Sequence, residues 1–270
     1  MVHQDIIFNK IAHDRVAGNY EARHGEIFNS LEQARLREAL KLALEQITTG
    51  EPVPHVLDYG AGSGNLTSHL LALRARVTAA DLSSKFLKLI NSKFNYNSQA
   101  AAVLVNGADL RNFASNSFDM VATYSVLHHV PDYLKIIREM MRVLKPGGVL
   151  YIDHEALEQI WHPPAEYREF VDKITATMPY DWSKWLEPKR YLSRFYKILN
   201  PRYQAEGDIH VFADDHIEWD KIRAAVAESG GNVISETDYL LFKRGYDQKV
   251  YEEYASKTAD TKSLLARKLE

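Results

Sequence analysis

The stretch His55-Val-Leu-Asp-Tyr-Gly-Ala-Gly-Ser-Gly-Asn-Leu-Thr67 decides how the chain is read. A short apolar strand, Val56-Leu57, runs into Asp58 and then into glycines at positions 60, 62 and 64. Leu66, Leu70, Leu71 and Leu73 follow at the spacing of an amphipathic helix. A strand that bends through glycines into a helix exposes bare backbone to a ligand, because no Cβ stands in the way. The helix start adds free N–H groups and the positive end of a dipole. A dinucleotide fingerprint, Gly-x-Gly-x-x-Gly, fails in both registers, because its last glycine would fall at Asn65 or Thr67.

Strands and helices alternate after this turn, which predicts a doubly wound α/β domain on a mostly parallel sheet. The second strand, Arg76–Asp81, ends in an acid placed to accept both hydroxyls of a ribose. The third is Ala101–Val105, followed by Gly107-Ala-Asp-Leu110, and the fourth is Phe118–Tyr124. A loop with Leu127-His-His129 comes next, then a helix over 133–144 and the turn Leu144-Lys-Pro-Gly-Gly148 before a fifth strand, Val149–Asp153.

In order and spacing these motifs resemble the class I S-adenosylmethionine-dependent methyltransferases of the small-molecule type, strongly over residues 55–155 and weakly elsewhere. The resemblance implies a Rossmann-like methyltransferase fold with a helical lid, and S-adenosylmethionine as cofactor. Asp58, Gly60, Ala61, Gly62 and Asn65 would hold its methionine part, Asp81 and Leu82 its ribose, and Asp109 and Leu110 its adenine. Tyr124 and Ser125 would pass behind the sulfonium, and Tyr20, in an N-terminal segment folded over the cofactor, would lie nearby. Arg23 and His24 are further candidates there. His128 and His129 fall where acceptor and cofactor would meet. Imidazole titrates near neutrality and can take a proton from a hydroxyl. His154 and Glu155, ending the fifth strand, are alternative bases.

Four segments follow: an N-terminal helical cover (1–54), a cofactor-binding core (55–154), a helical lid with acceptor pocket (155–208), and the completion of the core with a tail (209–270). The insertion holds three of the chain's four tryptophans. Trp161, Tyr180, Trp182 and, just beyond, His210 are the expected acceptor contacts, although most rings of such a segment pack on one another. Within the N-terminal segment a short helix followed by a loop is expected over 8–20, then a helix over 31–47 with Ser30 capping it. The last segment is expected to hold a helix over 216–229 capped by Asp214 or Asp215, a sixth strand over 233–242, and a polar helix or frayed tail over 246–262 with no visible seventh strand.

The chain has 270 residues, 33 basic and 36 acidic, for a net charge of −3, which argues against a dedicated nucleic-acid surface. No apolar run approaches the ~20 residues of a membrane span, and no signal pattern opens the chain, so a cytoplasmic address is expected. There is no cysteine, which excludes disulfides, thiolate metal sites and a cysteine nucleophile, and argues against arsenic methylation. No short His-x-x-x-His spacing is present, so no metal is expected. The amide-methylase motif Asn/Asp-Pro-Pro-aromatic is also absent. The expected activity is methylation of a small molecule, with O-methylation of a hydroxyl favoured by the histidines at the mouth. The alternatives are N- or C-methylation and a protein that binds the cofactor without turnover. The oligomeric state is open.

Overall fold

In a computed structural model, residues 2–178, 200, 202–204 and 206–270 are described. Seven strands form one sheet: β1 (His55–Tyr59), β2 (Arg76–Asp81), β3 (Ala100–Leu104), β4 (Phe118–Tyr124), β5 (Leu144–Ala156), β8 (Gly231–Tyr239) and β9 (Thr261–Lys268). Their order is β3-β2-β1-β4-β5-β9-β8, and β1 to β5 run parallel while β9 is antiparallel to both neighbours. β6 (Val211–Phe212) and β7 (Asp215–His216) make a separate small hairpin.

β4 is buried at every position, the mark of a central strand covered on both faces. One face packs on α6 (Tyr133–Val143) and α8 (Trp219–Glu228) through Ile136, Met140, Ile222 and Val226. The other packs on α3 (Ser30–Glu45) and α4 (Asn65–Ala72) through Leu36, Leu40, Leu66 and Leu70. Strand order reverses between β1 and β4, and the C-terminal ends of those strands open a crevice there. α5 (Ser84–Lys93) flanks β2 and β3, and α1 (Val2–Val16) lies against α5 near the crevice.

Several expectations are corrected. The cap of α3 is Asn29, whose side chain accepts from Glu32 N at 2.9 Å. α8 starts at Trp219 rather than 216, because residues 211–216 fold back as the β6–β7 hairpin, and neither Asp214 nor Asp215 caps it. Those two carboxylates instead pair with Arg202, and Asp215 also with His210. α1 is a full helix where a short one and a loop were expected. The seventh strand is β9, beginning inside the segment read as a frayed tail. The segment 246–262 also contains α9 (Gln248–Tyr254), which packs on α7 (Ala165–Thr177) around Phe170, Ile174, Leu240 and Tyr254.

Candidate functional site

Gly60, Gly62 and Gly64 have φ of +74°, +51° and +85°, the left-handed region that suits glycine. At Gly60 space forbids a side chain as well, since a Cβ would stand 2.4 Å from Val126 Cγ2. The N–H groups of Gly60 and Ala61 donate to Ala80 O at 2.8 and 3.1 Å, which fixes the turn against β2. The Asp81 carboxylate joins both strands: Oδ2 accepts from Gly62 N at 2.9 Å and Oδ1 from Ser83 N at 2.7 Å. Burial pushes Asp81 up to about 6, against the lowering effect of those two bonds.

Beside the turn lies a recess walled by Asp58, Ser63 and Asn65. Asp58 Oδ2 accepts from Thr67 Oγ1 at 2.6 Å, and burial pushes this acid up to about 7. Asp58 Oδ1, Ser63 Oγ and Asn65 Nδ2 are buried and lack a hydrogen-bond partner among the described residues. Folded proteins seldom leave such atoms unmatched. An acceptor facing a donor amide and a hydroxyl suits a ligand that carries an ammonium and a carboxylate together.

The neighbouring cavity is walled by Tyr59, Gly60, Asp81, Leu82, Phe86 and Gly107, with Ile6, Asn9 and His13 of α1 closing it from outside. Residues 6, 9 and 13 occupy one helical face. Asn9 Nδ2 donates to His129 O at 2.6 Å and Ser83 Oγ to Asp14 Oδ1 at 2.5 Å, so α1 is tied to both banks of the crevice. Tyr20 borders this cavity and the recess, and its ring meets Phe86 edge-on at 5.3 Å.

Ser125, with φ +58°, is the junction, since it borders this cavity and two further ones. Both of those contain His128 and Asp208. His128 Nδ1 lies 2.8 Å from Glu155 Oε2, while Glu155 Oε1 accepts from Val126 N and Leu127 N at 2.9 and 2.7 Å. A carboxylate so engaged holds the imidazole proton on Nδ1 and leaves the Nε2 lone pair facing the cavity. Burial alone would lower the His128 pKa, but Glu155 and Asp208 outweigh it and the net shift is upward. His129 goes the other way, well below its ordinary value, through burial and the neighbouring His128 and His13. His13 falls to about 4 through burial first and then the neighbouring His128 and His24. His154, with φ +61°, stacks on Tyr124 at 4.7 Å and is lowered to about 4 chiefly by burial, which leaves it a weak base at neutral pH.

The sequence-expected residues therefore divide. Asp58, Gly60, Ala61, Gly62 and Asn65 meet at the recess, and Asp81, Leu82, Tyr124 and Ser125 at the adjoining cavity, with Tyr20 at both. His128, His154 and His210 border the acceptor-side cavity, and His129 borders the cofactor-side cavity and the third one. Asp109 and Leu110 do not line these cavities. The Asp109 carboxylate is held by Arg111 and Asn106 and lies well below the usual carboxylate range, the Arg111 bond being the main cause. Leu110 is wholly buried in the core, and Val105 and Gly107 stand at the cavity wall instead. Trp161 donates its indole N–H to Val211 O at 3.3 Å and tilts against His216, outside the cavity lining. His210 has both ring nitrogens engaged, by Asp215 at 2.5 Å and Val130 O at 3.1 Å. Tyr180 and Trp182 lie outside the described residues. Sequence reasoning missed His13 and Asn9, which the 6-9-13 spacing could have pointed to, and Asp208, which no local pattern marks.

A glycine turn answered by an acid on the next strand, on a sheet with one antiparallel strand inside it, defines the class I S-adenosylmethionine-dependent methyltransferase fold. Residues 57–152 match the family model described as a methyltransferase domain, and the chain carries that domain. Over 102 residues it is 38% identical to the ubiquinone biosynthesis O-methyltransferase of Xanthomonas campestris pv. campestris (strain B100), covering 37% of this chain and 43% of that protein. Over 161 residues it is 30% identical to the ubiquinone/menaquinone biosynthesis C-methyltransferase of Shewanella sediminis, covering 55% of this chain and 64% of that one. The chain thus spans about two fifths of the length of the first of these relatives. Among solved structures, an S-adenosylmethionine-dependent methyltransferase from Mesorhizobium loti superimposes with TM-score 0.58 and 18% identity, over 91% of this chain and 99% of that one. That likeness concerns the fold alone. No helix among the described residues is long and apolar enough to cross a membrane.

Proposed function

We propose that this protein transfers a methyl group from S-adenosylmethionine to an oxygen of a small-molecule acceptor. The observation that carries the reading is Ser125, a wall shared by the cofactor-side cavity and by the two cavities that contain His128. Asp58, Ser63 and Asn65 would hold the amino-acid end of the cofactor, whose ammonium and carboxylate match the unpartnered atoms there. Asp81 would accept the ribose hydroxyls on lone pairs that Gly62 and Ser83 leave free. When bound, the cofactor would supply an electrophilic methyl carbon on a sulfonium, open to in-line attack by an acceptor lone pair, with the carbon–sulfur bonding pair leaving on sulfur. His128, steadied by Glu155, takes the acceptor's hydroxyl proton on Nε2. Tyr20, Tyr124 and α1 keep water from the junction. Of the acceptor contacts expected from the sequence, His210 lines the acceptor-side cavity and is retained in this reading, and Tyr167, which was not among them, joins it there.

Two relatives support a phenolic or quinol-like acceptor, one named as an O-methyltransferase of ubiquinone biosynthesis and one as a C-methyltransferase of ubiquinone/menaquinone biosynthesis, so carbon methylation is the second reading. The test is release of S-adenosylhomocysteine over a panel of catechols, phenols, amines and carbon acids. Turnover with hydroxylated aromatics is expected. Intact S-adenosylhomocysteine binding with no product from any member of the panel would leave only a cofactor-binding role.

A further inference from the structure

Beyond the cofactor, the junction holds a cluster that the methyl-transfer reading only partly uses. His128, His129 and Asp208 bring one ligand atom each to within 4.8 Å of one another. Asp208 Oδ1 stands 3.3 Å from His129 Nδ1 and 3.9 Å from His128 Nε2. His129 Nδ1 is nevertheless buried with no hydrogen-bond partner among the described residues, so the short approach does not satisfy it. The two imidazole centroids are 4.2 Å apart, and both rings border the same cavity.

We propose that His128 Nε2, His129 Nδ1 and the Asp208 carboxylate form a binding site for a first-row divalent transition-metal ion. Ligands at about 2.0–2.1 Å from a tetrahedral centre stand roughly 3.3 Å from each other. Of the two spacings at Asp208, the one to His129, 3.3 Å, matches that value, and the one to His128, 3.9 Å, closes to it with a side-chain shift of about half an ångström. A metal-bound imidazole normally gives its other N–H to a carboxylate, and Glu155 stands at His128 Nδ1 in that position, itself fixed by two backbone N–H groups. Two nitrogens and one carboxylate oxygen suit zinc, iron, cobalt or nickel, while magnesium and calcium prefer an all-oxygen shell. Three protein ligands leave a position open toward the cavity. There an acceptor oxygen would bind and lose its proton more readily, so that the ion takes over the activation that His128 Nε2 gives in its absence. This last clause rests on the proposed methyl transfer, whereas the ion site does not. Local spacing could not reveal it, because His128 and His129 are adjacent and the third ligand follows only at position 208.

The test uses the full chain freed of metal by a chelator and titrated with zinc chloride by calorimetry, with cobalt(II) absorption as the probe of geometry. One equivalent should bind and should give the intense visible bands of a tetrahedral cobalt centre. Asp208→Asn and His129→Ala should each weaken zinc at least tenfold, and Glu155→Gln by about 10- to 100-fold. His162→Ala, at an exposed histidine, should change nothing, and magnesium chloride should not compete. Circular dichroism melting identifies a variant that fails to fold, and Asp208→Asn keeps the side chain's shape. Less than one equivalent, or affinity indifferent to Asp208→Asn and His129→Ala, overturns the site. Each sample is also titrated with S-adenosylhomocysteine. Protein that takes zinc but no S-adenosylhomocysteine loses the methyl-transfer reading and keeps the ion site, and the opposite result does the reverse.

Discussion

The two banks of the crevice are built by different means. The bank at β1 and β2 is local: a glycine turn, two aspartates and a helix start, all between residues 58 and 83, joined by bonds from backbone N–H groups. The opposite bank is gathered from distant parts of the chain, namely His13 and His24 of the N-terminal segment, His128 and His129 after β4, Glu155 at the end of β5, and Asp208. The first presents lone pairs and N–H groups fixed by neighbours close in sequence, and the second presents side chains held in place only by the tertiary fold. A local frame can recognise a ligand that does not vary. An assembled one can be changed for a new acceptor without disturbing the sheet.

If that contrast holds, variants on the two sides should fail differently. The largest effect is expected at His128. His128→Asn should lower kcat by about 10²- to 10⁴-fold while S-adenosylhomocysteine affinity stays within a few fold. An equal loss in cofactor affinity would erase the distinction. Next is Asp81→Ala, which removes hydrogen bonds to a charged group worth roughly 1.5–3 kcal/mol each. Affinity for S-adenosylhomocysteine by calorimetry should fall on the order of 100-fold, and unchanged affinity would remove the ribose assignment. Gly60→Ala should cost about 1–3 kcal/mol of stability, because the new methyl meets Val126 and the backbone holds φ at +74°. Chemical denaturation measures this, and Gly60→Ala with Val126→Ala should recover only the part due to crowding.

A smaller effect is expected from pH. Asp58 and Asp81, pushed up to about 7 and about 6 by burial, are partly protonated in the free protein near neutrality. The ligand's ammonium favours ionised Asp58, and its ribose hydroxyls donate best to ionised Asp81. Affinity for S-adenosylhomocysteine should therefore rise with pH and level off above about 7, losing up to about tenfold per group for each unit below its pKa. Asp58→Asn should flatten the upper part of that curve, and a curve of opposite slope would contradict the assignment. The smallest effect is expected far from the crevice, where Arg138→Ala breaks an exposed pair with Glu228 and should change stability by less than about 1 kcal/mol.

The same contrast explains what could be read in the sequence. The glycine turn, Asp81 and the buried strand β4 announce themselves, because their constraints act between residues close in the chain. β9 hid behind Lys262, Arg267 and Lys268, whose charges suggested a surface tail. In the fold Lys262 pairs with Glu236 and Asp238, Arg267 donates to Gln46 O, and Lys268 donates to Leu144 O, while Leu264, Leu265 and Ala266 are buried. α1 was underestimated because Ile7, Phe8 and Ile11 leave apolar side chains exposed and blur its periodicity. Asp109 looked like a ligand by its place after β3, but Arg111, two residues on, already occupies it.

Because β9 lies between β5 and β8, the sheet cannot close until residues 261 to 268 arrive. A polypeptide cut short before them would keep its cofactor-side turn yet expose two unpaired strand edges. Such edges invite self-association and capture by quality-control factors. A segment that follows every other strand in sequence thus sits inside the sheet, and the domain depends on it to persist.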